Sequence, residues 1–169
     1  VLALDDRYLL LSGYDHNLYM FDRKTTSFVT PPQAWVSSTY NDSEGVFMKD
    51  KEDRIWISTY GSGLFVQQQQ YAHFIKHPLS GDIQDICEYN DHIYACNTDG
   101  KLIQIQPTGK QSEFSFLLKN EAGNPTRANK LHIDHQNRLW ILSRNELHYF
   151  SASTGQVHAW NPSFFTKEA

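Results

Sequence analysis

Arg54-Ile-Trp-Ile-Ser-Thr-Tyr-Gly-Ser-Gly-Leu-Phe-Val66 is an apolar run, a short polar turn and a second apolar run. The same plan recurs three times with different spelling. Arg138-Leu-Trp-Ile-Leu-Ser-Arg-Asn-Glu-Leu-His-Tyr-Phe150 is a second clear copy. Arg7-Tyr-Leu-Leu-Leu-Ser-Gly-Tyr-Asp-His-Asn-Leu-Tyr-Met-Phe21 and His92-Ile-Tyr-Ala-Cys-Asn-Thr-Asp-Gly-Lys-Leu-Ile-Gln-Ile105 are weaker ones. The leading residues Arg7, Arg54, His92 and Arg138 are spaced by 47, 38 and 46 residues. The leucines after the turn, Leu18, Leu64, Leu102 and Leu147, are spaced by 46, 38 and 45. Two landmarks share one period of roughly 40–45 residues, a length that suits a four-stranded propeller blade or a paired-helix repeat.

The runs decide for strands. Ile55 to Thr59 and Leu139 to Leu142 are short, partly aromatic or β-branched, and bounded by turn residues. No window keeps apolar residues at helical spacing long enough to make a convincing helix. Each unit divides into four strands, a to d. In the second unit these are Val46 to Met48, Ile55 to Thr59, Leu64 to Gln68 and His73 to His77. The expected architecture is all-β: four four-stranded antiparallel propeller blades, repeating over about 1–43, 44–81, 82–127 and 128–169. The b strands are nearly continuous in apolar residues, as sheets covered on both faces are. Leu9, Trp56, Tyr94 and Trp140 are read as equivalent wedges between blades, and Gly61 and Gly63 as turn glycines with positive φ. These residues are scaffold.

Composition narrows the classes. Aromatic residues make up 14% of the 169, so the chain is not disordered. The net charge is −4 and the basic residues are dispersed, which argues against a nucleic-acid partner. No apolar run of about 20 residues is present to span a membrane. The chain opens inside a strand, which suggests a piece of a longer protein. An open arc of blades would leave apolar faces bare and is expected to self-associate. A closed small ring and half of an assembled ring are the alternatives.

Cys87 and Cys96 fall on neighbouring strands as diagonal neighbours, near the upper limit for a bridge, and read as two buried free thiols. His132 and His135 are three apart and point to opposite faces of a strand; His73 and His77 share a face but lack a further ligand, so no metal is expected. No nucleophile elbow, P-loop or dinucleotide fingerprint occurs, and no cofactor is expected. Asp50, Asp53, Asp82, Asp85 and Asp91 read as solvated turn carboxylates rather than a catalytic pair. No catalytic residue is assigned.

The connections carry more promise. In a propeller the d–a and b–c connections open on one face. The loop Thr30 to Ser43 is long and polar and holds Trp35 and Tyr40. Tyr14, His16, Tyr60, Arg127, Arg144 and Asn145 join them on that face as candidate ligand contacts. Aromatic rings there can stack on sugar rings while the polar groups bond hydroxyls. The alternative reading is that Trp35 and Tyr40 pin the loop to its own blade.

Asp53-Arg-Ile-Trp-Ile-Ser-Thr-Tyr-Gly-Ser-Gly-Leu-Phe-Val66 resembles the two-component regulator propeller repeat. Thr59, Gly61, Gly63 and Leu64 match that pattern, and Ser58 stands where glycine is usual. Leu139-Trp140-Ile141 and Leu147 to Phe150 repeat part of it without the glycines. The resemblance implies a periplasmic sensor region of a Bacteroides-type hybrid two-component histidine kinase, sensing oligosaccharides released from polysaccharides. It implies a non-catalytic module and brings no binding residue with it. A structural segment mediating receptor dimerisation and a part of a polysaccharide-degrading enzyme are the rival readings.

Overall fold

The computed structural model describes residues 1–15, 17–39, 45–59, 63–67, 74–106, 111–119, 122–144, 146–151 and 153–160. Tandem strand–turn–strand signals fold into four sheets of four antiparallel strands, each sheet in chain order. The first holds β1 (Leu2–Ala3), β2 (Tyr8–Ser12), β3 (Leu18–Asp22) and β4 (Ser27–Val29). The second holds β5 (Phe47–Lys49), β6 (Ile55–Thr59), β7 (Gly63–Gln67) and β8 (Phe74–His77). The third holds β9 (Ile83–Tyr89), β10 (His92–Asn97), β11 (Lys101–Ile105) and β12 (Gln111–Leu117). The fourth holds β13 (Ala128–Ile133), β14 (Leu139–Ser143), β15 (Leu147–Ser151) and β16 (Gln156–Trp160). Among the described residues no helix is long and apolar enough to cross a membrane.

One helix departs from the sequence reading. α1 (Gln33–Thr39) occupies the connection between the first two sheets, where a loop was expected. Pro31-Pro32 set its start: proline fixes φ and needs no donor there. The Pro32 carbonyl accepts from the amides of Trp35 at 2.9 Å and Val36 at 3.3 Å. Seven residues are too few for apolar periodicity to register.

The sheets stack through three buried clusters. Leu10 and Leu18 of the first meet Phe47, Ile55, Ile57, Phe65 and Phe74 of the second. Trp56, Leu64 and Val66 of the second meet Ile83, Ile93 and Ala95 of the third. Tyr94, Cys96 and Leu102 of the third meet Leu131, Leu139, Ile141 and Phe150 of the fourth. Each sheet therefore has a leading face toward the preceding sheet and a trailing face toward the next. Strand b contributes alternate residues to both, as its continuous apolar sequence requires. Among the described residues no buried cluster joins the fourth sheet back to the first.

The wedge assignment holds in two units, shifts by one residue in the first, and in the fourth meets no following sheet among the described residues. Trp56 is 1% exposed between the second and third sheets, and Tyr94 is buried between the third and fourth. In the first sheet the wedge is Leu10, not Leu9. Leu10 pairs with Leu2 and Met20 on the trailing face, and Leu9 points the other way. Arg7 stands one position earlier in its unit than Arg54: the Leu4 amide donates to the Tyr8 carbonyl where the Asp50 amide donates to that of Arg54, so alignment on the leading arginines slips by one residue and swaps faces. Trp140 occupies the trailing face of the fourth sheet and is only half-buried.

The buried indoles depend on a carboxylate. Asp50 Oδ2 accepts from Trp56 Nε1 at 2.8 Å and Arg54 Nε at 2.6 Å, while its Oδ1 accepts from the amides of Glu52 and Arg54. Asp134 repeats this: Trp140 Nε1 at 2.7 Å, Arg138 Nε at 2.6 Å, and the amides of Gln136 and Arg138. The turns close on residues with positive φ, Asp53 at 61° and Asn137 at 56°. Asp50 is thus a buried brace rather than a solvated turn residue, and so is Asp85. Asp85 leaves the third sheet to accept from the Leu131 amide of the fourth at 2.9 Å and pairs with Lys130. Burial opposes ionisation of Asp50 and Asp134, but the indole and arginine bonds outweigh it and hold both below the usual carboxylate range. The Arg7 guanidinium holds Asp22 at about 2.

Further bonds join the a–b turns of successive sheets. Lys49 Nζ reaches the Leu4 carbonyl, the Lys51 amide bonds Glu88, and its ammonium pairs with Asp91. Tyr89 Oη donates to the Asn137 carbonyl at 3.1 Å. Cys87 lies opposite Tyr94 and Cys96 opposite Asp85, the register expected, and both thiols are free. Burial pushes the Cys96 thiol up to about 12 and Cys87 higher still.

Two outcomes follow. Trp56→Ala, which empties a buried site between sheets, should cost roughly 3–5 kcal/mol in urea unfolding, and Trp140→Ala clearly less. Carboxylates depressed in the folded state contribute fully above the unfolded value near 4, and that contribution is lost as pH falls through the folded value. The thermal midpoint should therefore drop between about pH 4 and pH 2, and Asp22→Asn should make that slope shallower in a calorimetric series.

Candidate functional site

The b–c turns and d–a connections share one rim, opposite the a–b turns just described. Strand b reaches this rim with buried polar residues: Ser58, Asn97 and Ser143. Each fixes the connection beside it. Asn97 Nδ2 donates to the Ser80 carbonyl at 2.8 Å and its Oδ1 accepts from the Lys101 amide. Ser143 Oγ donates to the Glu146 carbonyl at 3.1 Å and lies 3.4 Å from His148 Nε2. Ser58 Oγ accepts from the Val46 amide at 2.7 Å, and the Ser58 amide donates to the Val46 carbonyl.

The Ser58 contact explains the departure from glycine in the repeat. Its hydroxyl holds the chain as it enters the second sheet. Gly45 passes so close that an added Cβ would lie 1.6 Å from the Ser58 carbonyl oxygen. No side chain fits there.

A cavity of about 440 Å³ opens on this rim across three sheets. Ser12, Gly13 and Tyr14 line it from the first b–c turn, Gly45 and Val46 from the entry to the second sheet, and Ile83 and Gln84 from the start of the third. None of these side chains is charged. Asp15 shapes the turn below Tyr14: its carboxylate accepts from the Asn17 amide and side chain and from the Tyr19 hydroxyl. Those bonds hold the carboxylate below its ordinary range, the Asn17 side chain first. Tyr14 itself is 99% exposed at the mouth. Val46 beside hydroxyl, amide and backbone groups can hold a neutral ligand with both apolar and hydroxyl surface.

Of the candidate contacts, Tyr14 alone lines this cavity among the described residues. Arg127 and Arg144 are exposed elsewhere on the rim. Trp35 stands on α1 with its ring 5.6 Å from Phe74, edge to face, so it pins the connection to the following sheet rather than to its own. His16, Tyr40, Tyr60, Gly61 and Asn145 lie outside the described residues. Gly63 has φ 90°, as the turn reading required. Ser12, Gly45, Val46, Ile83 and Gln84 were missed, because each is an ordinary strand-end residue whose role comes from three sheets converging.

No family model matches the sequence, and no curated protein matches it. Solved structures do. The extracellular domain of BT4673 from B. thetaiotaomicron, described as a one-component system, superposes with a TM-score of 0.75 at 20% identity, over 94% of this chain and 21% of that one. The extracellular domain of the B. thetaiotaomicron hybrid two-component system BT3049 gives 0.69 at 14% identity, over 92% and 20%. BamB from Moraxella catarrhalis gives 0.64 at 17%, over 95% and 48%. The chain is a propeller segment. It spans about a fifth of the two signalling-protein domains and about half of BamB. The likeness to extracellular domains of Bacteroides signalling proteins agrees with the repeat resemblance, and at these identities it establishes the fold.

Because Gly45 lies against the Ser58 backbone, Gly45→Ala should force the entry strand outward and lower stability by about 1–3 kcal/mol, as overpacking does. Urea unfolding checks this.

Proposed function

We propose that this segment is a non-catalytic, ligand-sensing part of a hybrid two-component sensor histidine kinase, held on the periplasmic side. Its ligand is an oligosaccharide derived from a polysaccharide. The observation that carries this reading is the rim cavity, lined among the described residues by uncharged side chains of three blades with Tyr14 at its mouth, in a fold shared with extracellular domains of Bacteroides signalling proteins. A sugar ring is apolar on its axial C–H faces and polar at its edge. Val46 and the Tyr14 ring suit the first surface, and Ser12, Gln84 and the backbone at Gly13 suit the second. Arg127 and Arg144, with Trp35, stay outside the cavity and are placed at most along an extended ligand.

Calorimetric titration with a panel of neutral oligosaccharides tests the reading. At least one should bind without being turned over. Tyr14→Ala should weaken that sugar about tenfold, equivalent to about 1.4 kcal/mol, with the unfolding midpoint unchanged because the side chain touches solvent. Cleavage of any panel member would favour the enzymatic reading instead. Binding that ignores Tyr14→Ala would move the site off this cavity.

A further inference from the structure

The polar residues that end strand b are spent inside the chain in three sheets. Ser58, Asn97 and Ser143 each bond a backbone group of the connection beside them. Two polar residues of the rim cavity differ. Ser12 follows Leu10 by two residues, as Ser58 follows Trp56. Among the described residues, however, the Ser12 hydroxyl has no hydrogen-bond partner, and neither has the side-chain amide of Gln84. Both residues are half-buried. A half-buried polar group without a partner leaves a bond for a ligand to supply.

The backbone aims Gln84. Asp85 is the register partner of Cys96 and Ile83 that of Asn97, so Gln84 is the extra residue of a β-bulge. A bulge takes a side chain out of the strand's alternation, and bulges recur beside active sites. The fourth sheet bulges in the same way at Asn129, so the bulge belongs to the repeat. At Gln84 it opens on the cavity. Both flanks are pinned. Asp85 Oδ2 accepts from the Leu131 amide at 2.9 Å, and the Asp82 carbonyl accepts from the Thr98 amide at 3.0 Å. Gln84 thus combines a fixed backbone with a free head group, as a recognition residue requires.

We propose that Gln84 is the specificity-determining residue of the rim cavity and reads two adjacent hydroxyls of a sugar ring. The inference rests on the oligosaccharide reading of that cavity and adds which part of the sugar is read. A side-chain amide carries an acceptor and a donor side by side. Adjacent ring hydroxyls staggered at about 60° lie close enough to meet both. The amide oxygen accepts from one hydroxyl and the amide nitrogen donates to the other. Ser12 adds a third polar contact from the first sheet, and the Tyr14 ring stands at the mouth. A pair of hydroxyls in trans-diaxial positions, at about 180°, is too far apart to be bridged. The ligand class is therefore a neutral saccharide with a free, gauche vicinal diol.

Calorimetric titration with cellobiose, maltose, lactose and mannobiose tests this. The wild type should bind at least one of them. For that sugar Gln84→Met, which keeps the size without the polar atoms, should weaken binding about tenfold, as lost hydrogen bonds do. Gln136→Met, on the opposite rim, should leave it unchanged. Gln84→Glu gives a readout that a structural role would not move, and it carries the test if the methionine variant fails to fold. Its ionised carboxylate accepts but cannot donate. Binding should therefore be weak at about pH 7 and recover towards about pH 4, as the new carboxyl, beside Asp82 and Asp85, takes up a proton near or above about 4.3. Wild-type affinity should stay level over that range. Binding lost in Tyr14→Ala but unchanged in a folded Gln84→Met would overturn the inference and leave the cavity reading standing. So would a Gln84→Glu affinity that does not change with pH. Failure of all four sugars to bind the wild type would overturn both.

Discussion

A tryptophan can be buried between two sheets only if its indole N–H finds an acceptor, because an unsatisfied buried donor costs about 1–3 kcal/mol. Asp50 supplies that acceptor for Trp56, and the same carboxylate closes the a–b turn and fixes Arg54. One residue therefore sets the turn, orients the wedge and satisfies its polar atom. Asp134 does the same for Trp140. With the wedges in place, strand b offers apolar residues to both neighbours, and sheets stack one after another into an arc. The first unit keeps a related ion pair, Arg7 with Asp22, at the end of strand c, and the third has Tyr94 as a wedge whose hydroxyl bonds Gln104.

Much of this architecture was legible because the repeat is a physical unit written four times. The apolar pairs around Trp56 and Trp140 gave strands, period and the blade reading. The sequence reading took Asp50 as a solvated turn carboxylate and did not single out Asp134, although each precedes its arginine by four residues and its tryptophan by six. What burial did to those carboxylates depends on the neighbouring strand, which spacing does not show. The Leu9 to Leu10 shift has a different cause: Tyr8, not Arg7, stands where Arg54 does, and an offset of one residue changes the face while leaving the apolar pattern untouched. α1 escaped because two helical turns carry too little periodicity.

The candidate site was legible only as a rim. Tyr14 was identified because an aromatic residue in a polar turn stands out. The rest of the cavity comes from ordinary residues that acquire a role where three sheets meet. Ser58 joins the two levels: it departs from the repeat's usual glycine, sits fully buried, and holds Val46 and Gly45 at the cavity wall. The scaffold is thus in what the copies share, and the site is in what they spell differently.

Native-state hydrogen exchange of the monomeric chain, in dilute solution, tests the open stack of blades most directly. β6 and β10 are covered on both faces and should hold the slowest-exchanging amides, whereas β2 and β14 each have one uncovered face and should exchange markedly faster. Equal protection of all four b strands would contradict the account, because it would mean a ring in which the fourth sheet already covers the first.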